Sequence, residues 1–562
     1  MVRRLLPILA ALSLLGCATA APGVSPSPAG VVSAADPRAT AAGVEMLRAG
    51  GSAADAAFAT LIALTVVEPQ SSGIGGGGFL VYSEGGRTAE TFDGRETAPA
   101  AATGTWFFKD GRPMGHDEAV PGGKSVGVPG NVRMMALAHA RHGKLPWAQL
   151  FAPAIRLARD GFVVTPRFHR FIGEYRETGA LSAEARALFY TASGEPVAVG
   201  TRLRNPALAA YLEQLARLGP DSFYVGPNAQ AIVATVNGSA RNPSAMTAGD
   251  LATYDAKQRD AVCGTYRGYK VCGMGPPSSG ATTVIATLKQ LERFDLRSLG
   301  PSSPRAWHLI ADSMRLAYAD RDQYLADADF VAVPTAGLID PGYLAERSGL
   351  IAVDRALASA EPGVPPGAAV VARGLEPAER GTSHFVATDR WGNVASLTST
   401  IESPYGSGLM VNGYFLNNEL TDFSFVPERG GVPVANRVEG GKRPRSSMAP
   451  TIVWGPDGEV RLAVGAAGGA TIPAQVLRVI IGVIDWRLSA QDAIALPVLF
   501  APGDTVAIEP GTSLVQLAPE LRRIGHNVVE RQMPLKTNAV ERVDGRWVGA
   551  ADPRSEGVAI GQ

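Results

Sequence analysis

The stretch that decides the fold reads Gly381-Thr382-Ser383-His384-Phe385-Val386-Ala387-Thr388, then Asp389-Arg390-Trp391-Gly392-Asn393, then Val394-Ala395-Ser396-Leu397-Thr398-Ser399-Thr400. Two runs alternating with period two flank an Asp/Gly/Asn turn, the pattern of a β-hairpin. Centring the turn near Trp391 sets Thr388 opposite Val394, Val386 opposite Ser396, His384 opposite Thr398 and Thr382 opposite Thr400. Directly opposed residues have Cβ atoms about 5 Å apart, so Thr382 ends its strand with a second hydroxyl beside it. Upstream, residues 355–381 are rich in Ala, Pro and Gly and carry no periodicity. A loose segment running through Gly381 into Thr382 and a buried strand is a candidate autocleavage junction. Cutting there would free the Thr382 α-amine, with an unperturbed pKa of about 8, as general base for its own hydroxyl. An ordinary linker entering an ordinary hairpin accounts for the same spacing.

Three further blocks carry groups with a candidate chemical role. In Thr91-Phe92-Asp93-Gly94-Arg95-Glu96, the Arg95 guanidinium has the two parallel donors that match a carboxylate, although a surface arginine fits the same residues. In Leu416-Asn417-Asn418-Glu419-Leu420-Thr421-Asp422-Phe423, two acids form a cluster that attracts an ammonium group or a solvated acidic face. Gly468-Gly469 end the strand run 462–467 and open the helix 474–484, where backbone N–H groups suit a developing oxyanion.

Together with Lys442-Arg443-Pro444-Arg445-Ser446-Ser447-Met448-Ala449-Pro450-Thr451, these blocks resemble, in order and approximate spacing, the gamma-glutamyltransferase family of N-terminal-nucleophile hydrolases. The resemblance extends to the tail block 549–557. It implies an α+β fold, a four-layer αββα sandwich formed jointly by two autoprocessed subunits, with residues 31–381 as the large subunit and 382–562 as the small catalytic one. It implies cleavage between Gly381 and Thr382, catalysis by Thr382 with Thr400 orienting it, and an oxyanion hole at Gly468 and Gly469. Arg95, Ser446 and Ser447 would hold a substrate α-carboxylate, and Glu419 and Asp422 its α-amino group. The implied reaction transfers the γ-glutamyl group of glutathione or a related compound to water or an acceptor amine, with no metal and no organic cofactor. One position departs. Well-studied members carry Asn where this chain has Glu402, and a strand continued past Thr400 places Glu402 on the same face, toward the nucleophile. That residue motivates an alternative, a glutaryl or cephalosporin acylase of the same superfamily. A non-catalytic, lipid-anchored binding protein that keeps the fold uncut is an alternative of another class.

Composition narrows the field. The 562 residues carry 52 basic and 52 acidic side chains, with no basic stripe for nucleic acid. Arg3-Arg4 precede an apolar run, 5–15, too short to span a bilayer as a mature helix. It ends Leu14-Leu15-Gly16-Cys17, which resembles a bacterial lipobox, so residues 1–17 read as a lipoprotein-type signal ending at Cys17 and 18–30 as a flexible tether. A plain secretory signal cut near Ala18-Thr19-Ala20 is the alternative. Either one exports the chain, to a periplasm in which a disulfide persists. Cys263 and Cys272 flank an Arg267-Gly268 turn in a second hairpin and fall opposite each other, a candidate disulfide.

Several motifs point nowhere. Gly73 to Gly78 match a dinucleotide fingerprint, but a helix precedes them and the strand 79–82 follows, the reverse of what that site needs. They resemble the family's early glycine-rich turn, a packing feature beneath the active site. Gly123-Lys124-Ser125-Val126-Gly127 lacks the strand a nucleophile elbow requires. His139 and His142, on a helix over 131–142, read as surface histidines without a third metal ligand. The helices 153–159, 207–217, 230–236, 282–294 and 305–326 read as scaffold.

Overall fold

The computed structural model describes residues 30–374 and 381–562, so the signal segment and Cys17 lie outside the described residues. The hairpin forms in the expected register. Ser383–Thr388 and Val394–Thr400 pair antiparallel, with Thr388 on Val394, Val386 on Ser396 and His384 on Thr398. Asp389 holds the turn: its Oδ1 accepts from the N–H groups of Trp391 and Asn393 at 2.9 and 3.0 Å. Its Oδ2 accepts from Ala53 N–H at 2.8 Å, which ties the turn to the start of helix Ala53–Val67.

That helix explains why the hairpin is central. Its fifteen residues, AADAAFATLIALTVV, are apolar all round, and every one is buried; such a helix must be covered on all sides. A capping box between Ser52 and Asp55 starts it. Gly50 and Gly51 separate it from helix Pro37–Arg48. Phe385, Ala387, Ala395 and Leu397 belong to the same packed core as this helix, so one face of the hairpin is committed to it.

The opposite face looks into a second sheet. The first sheet has seven strands in the order Val558–Gly561, Val31–Ala34, Ser383–Thr388, Val394–Thr400, Gly77–Ser83, Glu90–Asp93 and Lys257–Asp260. The second has six, in the order Arg546–Ala551, Lys536–Val543, Val460–Ala467, Thr451–Trp454, Tyr269–Gly273 and Val262–Tyr266. Between them pack Val81, Val386 and Val394 from the first and Ile452, Trp454, Ala463 and Val540 from the second. Helices Gly280–Leu291, Pro304–Tyr324 and Ile472–Ile484 cover the outer face of the second sheet. The layers are helix, sheet, sheet, helix, the αββα sandwich that the family likeness implies. Both sheets draw strands from either side of residue 381.

Three local readings are corrected. The strand does not continue past Thr400: it stops there, and Glu402 takes a φ of +72°. The reason is local hydrogen bonding, since Ile401 N–H turns to the Ser71 carbonyl and Glu402 N–H to the Thr400 hydroxyl. His139 and His142 are not surface groups. His142 stacks on Tyr82 with ring centroids 4.0 Å apart, and His139 Nε2 lies 3.4 Å from Asp55 Oδ1. The helix Pro304–Tyr324 is more than scaffold, because it carries Arg321 into the site described below. Cys263 and Cys272 are paired across their hairpin and joined by a disulfide, with Cα atoms 4.1 Å apart. Ser125 is buried and donates to the carbonyls of Val120 and Gly122. Among the described residues, no helix is long and apolar enough to cross a membrane.

Candidate active site

Thr382 sits at the mouth of the hairpin, one residue before the strand begins. Its hydroxyl donates to the Thr400 hydroxyl at 3.1 Å, and its N–H donates to the Ser71 carbonyl at 3.1 Å. Thr400 Oγ1 also accepts from Glu402 N–H at 2.7 Å, so the kink at Glu402 fixes the Thr400 hydroxyl where Thr382 meets it. Thr382 has a φ of +108°, a conformation that costs a β-branched residue about 1–3 kcal/mol. The glycine-rich turn has its own reason. A Cβ at Gly76 would lie 1.9 Å from the Thr400 carbonyl oxygen, so the turn passes the end of the strand at a distance only glycine permits.

Gly468 shares a cavity wall with Thr382, since Thr382, Ala467 and Gly468 line one cavity, and Gly469 follows it in the chain. Both glycines have positive φ, +128° and +57°. The carbonyl of Gly468 accepts from the Thr471 hydroxyl at 2.8 Å, and that of Ala467 from the Gln475 amide at 2.7 Å. These bonds hold the turn that leads into helix Ile472–Ile484.

The remaining expected residues come together a short way off. Arg95 is fully buried. Its Nε donates to the Pro444 carbonyl at 3.1 Å and its Nη2 to the Arg445 carbonyl at 2.8 Å, which sets it against the Ser446-Ser447 segment. Its guanidinium also pairs with both Glu419 and Asp422. The groups that the family likeness assigns to opposite ends of an amino acid are therefore in contact with each other. A guanidinium withdrawn from water requires acceptors, and these two carboxylates supply them. Ser446 Oγ accepts from Met448 N–H at 3.2 Å, and Ser447 Oγ accepts from Arg321 Nη2 at 2.6 Å.

Glu402 links the two halves of the site. Its Oε2 accepts from the Ser403 hydroxyl at 2.5 Å and from the Asn418 amide, beside Glu419. Its Oε1 is buried with no hydrogen-bond partner among the described residues, as are Glu419 Oε2 and both oxygens of Glu96. Burial raises the carboxyls of Glu402 and Glu419 above the ordinary range. Burial also lifts Glu96 to about 8 against the pull of Arg95. Three acids, Glu96, Glu419 and Asp422, thus lie against one guanidinium, and Glu402 adjoins them through Asn418; an ammonium group brought among them would favour their charged forms.

Sequence reasoning missed Ser71, Asn418, Arg321 and Glu96. Ser71 acts through its backbone carbonyl, which has no side-chain signature, and Asn418 through an amide whose partner, Glu402, lies sixteen residues away. Glu96, next to Arg95, and Arg321, a charge inside a long apolar-faced helix, were open to inspection as charges in buried runs.

A hydroxyl pair at the open end of a central strand pair, inside an αββα sandwich, is the architecture of the N-terminal-nucleophile hydrolases. A family model described as Gamma-glutamyltranspeptidase matches residues 39–562. The chain is 36% identical to the glutathione hydrolase proenzyme of Bacillus subtilis, over 95% of this chain and 91% of that one. It is 35% identical to the acylase ACY 1 proenzyme of Pseudomonas sp. strain SE83, over 94% and 93%. The cephalosporin acylase structure from Bacillus halodurans superposes with a TM-score of 0.83 at 26% identity, covering 98% of this chain and 99% of that one. The chain belongs to the gamma-glutamyltranspeptidase family and is an enzyme of that family.

Proposed function

We propose that the chain is a self-processing γ-glutamyl amide hydrolase and transferase. In the precursor, the Thr382 hydroxyl attacks the Gly381 carbonyl, the amide C–N bond gives way to an ester, and water cleaves the ester to leave a free Thr382 amine. In the processed enzyme, residues 31–381 and 382–562 remain one folded unit as large and small subunits. Thr382 Oγ1 then attacks the γ-amide carbon, its proton passing by way of the Thr382 amine to the departing amine. Water or an acceptor amine releases the γ-glutamyl group from the Thr382 ester.

The observation that carries this reading is the Thr382–Thr400 hydroxyl contact at 3.1 Å, with the Thr382 nitrogen already directed at Ser71 O. Gly468 and Gly469 supply oxyanion donors, and removing one such donor typically costs about 3 kcal/mol of transition-state stabilisation. Arg95, Ser446 and Ser447 take the α-carboxylate, while Glu419, Asp422 and Glu402 take the α-ammonium group. Binding therefore replaces the direct Arg95–Glu419 and Arg95–Asp422 pairs with pairs to the two ends of the substrate. Glutathione is the first substrate to test, on the strength of the glutathione hydrolase relatives. Export, with Cys17 as a lipid anchor, belongs to the same proposal and rests on residues 1–17 of the sequence alone.

A second reading has support of its own. The acylase relatives and the additional buried acid Glu402 favour a glutaryl or cephalosporin acylase. A glutaryl group lacks the ammonium, however, and once its carboxylate drew Arg95 away it would leave Glu419 and Asp422 without a cation. Turnover of γ-glutamyl-p-nitroanilide and glutaryl-p-nitroanilide separates the two. The account expects a higher kcat/KM for the γ-glutamyl compound by about a hundredfold, the scale of a lost charged hydrogen bond. A preference for the glutaryl compound would replace it with the acylase reading.

A further inference from the structure

Thr382 stands between two environments of different character. On one side lies the buried cluster of Arg95 and its carboxylates. On the other lies a cavity of about 250 Å³ that Gly381, Thr382 and Gly468 line, and none of Arg95, Glu402, Glu419, Asp422, Ser446 or Ser447 reaches it. Among the described residues, four cations do: Arg167 and Arg170 from helix Pro166–Glu174, Lys536 at the head of its strand, and Arg554. Glu509 is the single acid in that wall among the described residues.

Not all of this charge is available. Arg554 is committed to Glu509 and Asp552 at 2.5 and 3.1 Å. Arg167 and Lys536, however, share one carboxylate, Glu68, at 2.7 and 2.8 Å. That trio carries one positive charge in excess, with Lys536 and Glu68 buried and Arg167 partly exposed. Lys536 Nζ lies 3.2 Å from the hydroxyl of Ser383, the residue after Thr382. Arg170 is held only loosely, by Glu174 at 3.6 Å, with both side chains more than half exposed. Two cationic points therefore face the cavity, one beside Thr382 and one at its rim. A positive charge next to a low-dielectric wall focuses its field on the space in front of it.

An amide cleaved by Thr382 has an acyl half and an amine half. If the acyl half occupies the Arg95 cluster, as in the proposed function on which this inference rests, the amine half departs through the opposite face. We propose that this cavity binds the amine half and selects leaving groups and acceptors that bear two carboxylates. The Arg167–Glu68–Lys536 trio takes the carboxylate nearer the reacting nitrogen, and Arg170 takes the one farther out. An acidic amino acid, or a peptide beginning with one, has that chemistry.

The test uses the enzyme as purified and two substrates of equal size, γ-glutamylglutamate and γ-glutamylglutamine, which differ in one charge on the leaving amine. The expected kcat/KM ratio is about tenfold in favour of γ-glutamylglutamate at low ionic strength, falling toward one in 0.5 M salt as screening removes the field. Arg170→Gln, on an exposed side chain that the fold does not need, should lower the low-salt ratio by about threefold or more. Lys536→Gln should lower it further if that variant folds. A wild-type ratio near one, or a ratio that Arg170→Gln leaves unchanged, overturns this inference while turnover of γ-glutamylglutamine leaves the proposed function standing. No turnover of either substrate removes both.

Discussion

Thr382 combines two features that matter before and after cleavage. Its φ of +108° is a dihedral defined by the preceding carbonyl, so breaking the 381/382 bond abolishes the strained angle together with its cost. Its hydroxyl is held by Thr400, and Thr400→Val keeps the shape while deleting that partner. We expect Thr400→Val to fold, with processing and turnover both slowed by about tenfold or more; rates equal to wild type would remove Thr400 from the mechanism. Glu96 makes a separate prediction in stability. Its carboxyl is raised from an ordinary 4.5 to about 8 by burial. Between those pH values the folded chain keeps a proton that the unfolded chain has lost, so this group makes stability fall as pH rises through that window. Glu96→Gln, which cannot lose a proton, should flatten the decline of Tm from pH 5 to pH 8, as followed by thermal melts. Parallel slopes for the two proteins would show that Glu96 is not the group responsible. At this scale the sequence displayed the residue types, but the contacts between Arg95 and the acids of the 416–423 block join positions more than 300 apart, and no local pattern encodes them.

Hairpins and helices were far more legible than the joints between them. The period-two runs around Trp391 predicted the register of the central hairpin, because alternation and a short turn leave few alternatives. Helix Asn131–His142 was readable for the same kind of reason. The kink at Glu402 was not, since it arises when backbone N–H groups of Ile401 and Glu402 find partners outside the ladder. The second hairpin offers a test at this scale. Cys263 and Cys272 close a separation of nine residues at the edge of the six-stranded sheet, and closing so short a loop stabilises by about 2–3 kcal/mol in the chain-entropy account. Reduction should lower Tm by a few degrees and leave turnover intact, because the cysteine hairpin is the edge of the six-stranded sheet whereas the Thr382 strand belongs to the seven-stranded one. Loss of activity on mild reduction, with Tm unchanged, would place the disulfide in the site instead.

At the level of the whole molecule, the 381/382 bond lies inside an interlocked structure. Strand Val31–Ala34 pairs on one side with Ser383–Thr388 and on the other with Val558–Gly561, so a piece from before the bond is held between two from after it. The second sheet is also joined across the bond, with Tyr269–Gly273 paired to Thr451–Trp454. Cleavage should therefore yield fragments that co-elute on size exclusion and separate only in denaturant; separation under native conditions would contradict that arrangement. Periodicity alone did not reach this level. The four-layer sandwich was readable only through the likeness of scattered blocks to a known family, since strands from distant parts of the chain interleave in both sheets. The most direct test of the central claim is intact-mass analysis and N-terminal sequencing of the purified protein. The account predicts two polypeptides, the smaller beginning Thr382-Ser383-His384, and a single chain from Thr382→Ala. A wild-type protein that stays uncut, or one severed at another bond, would contradict it.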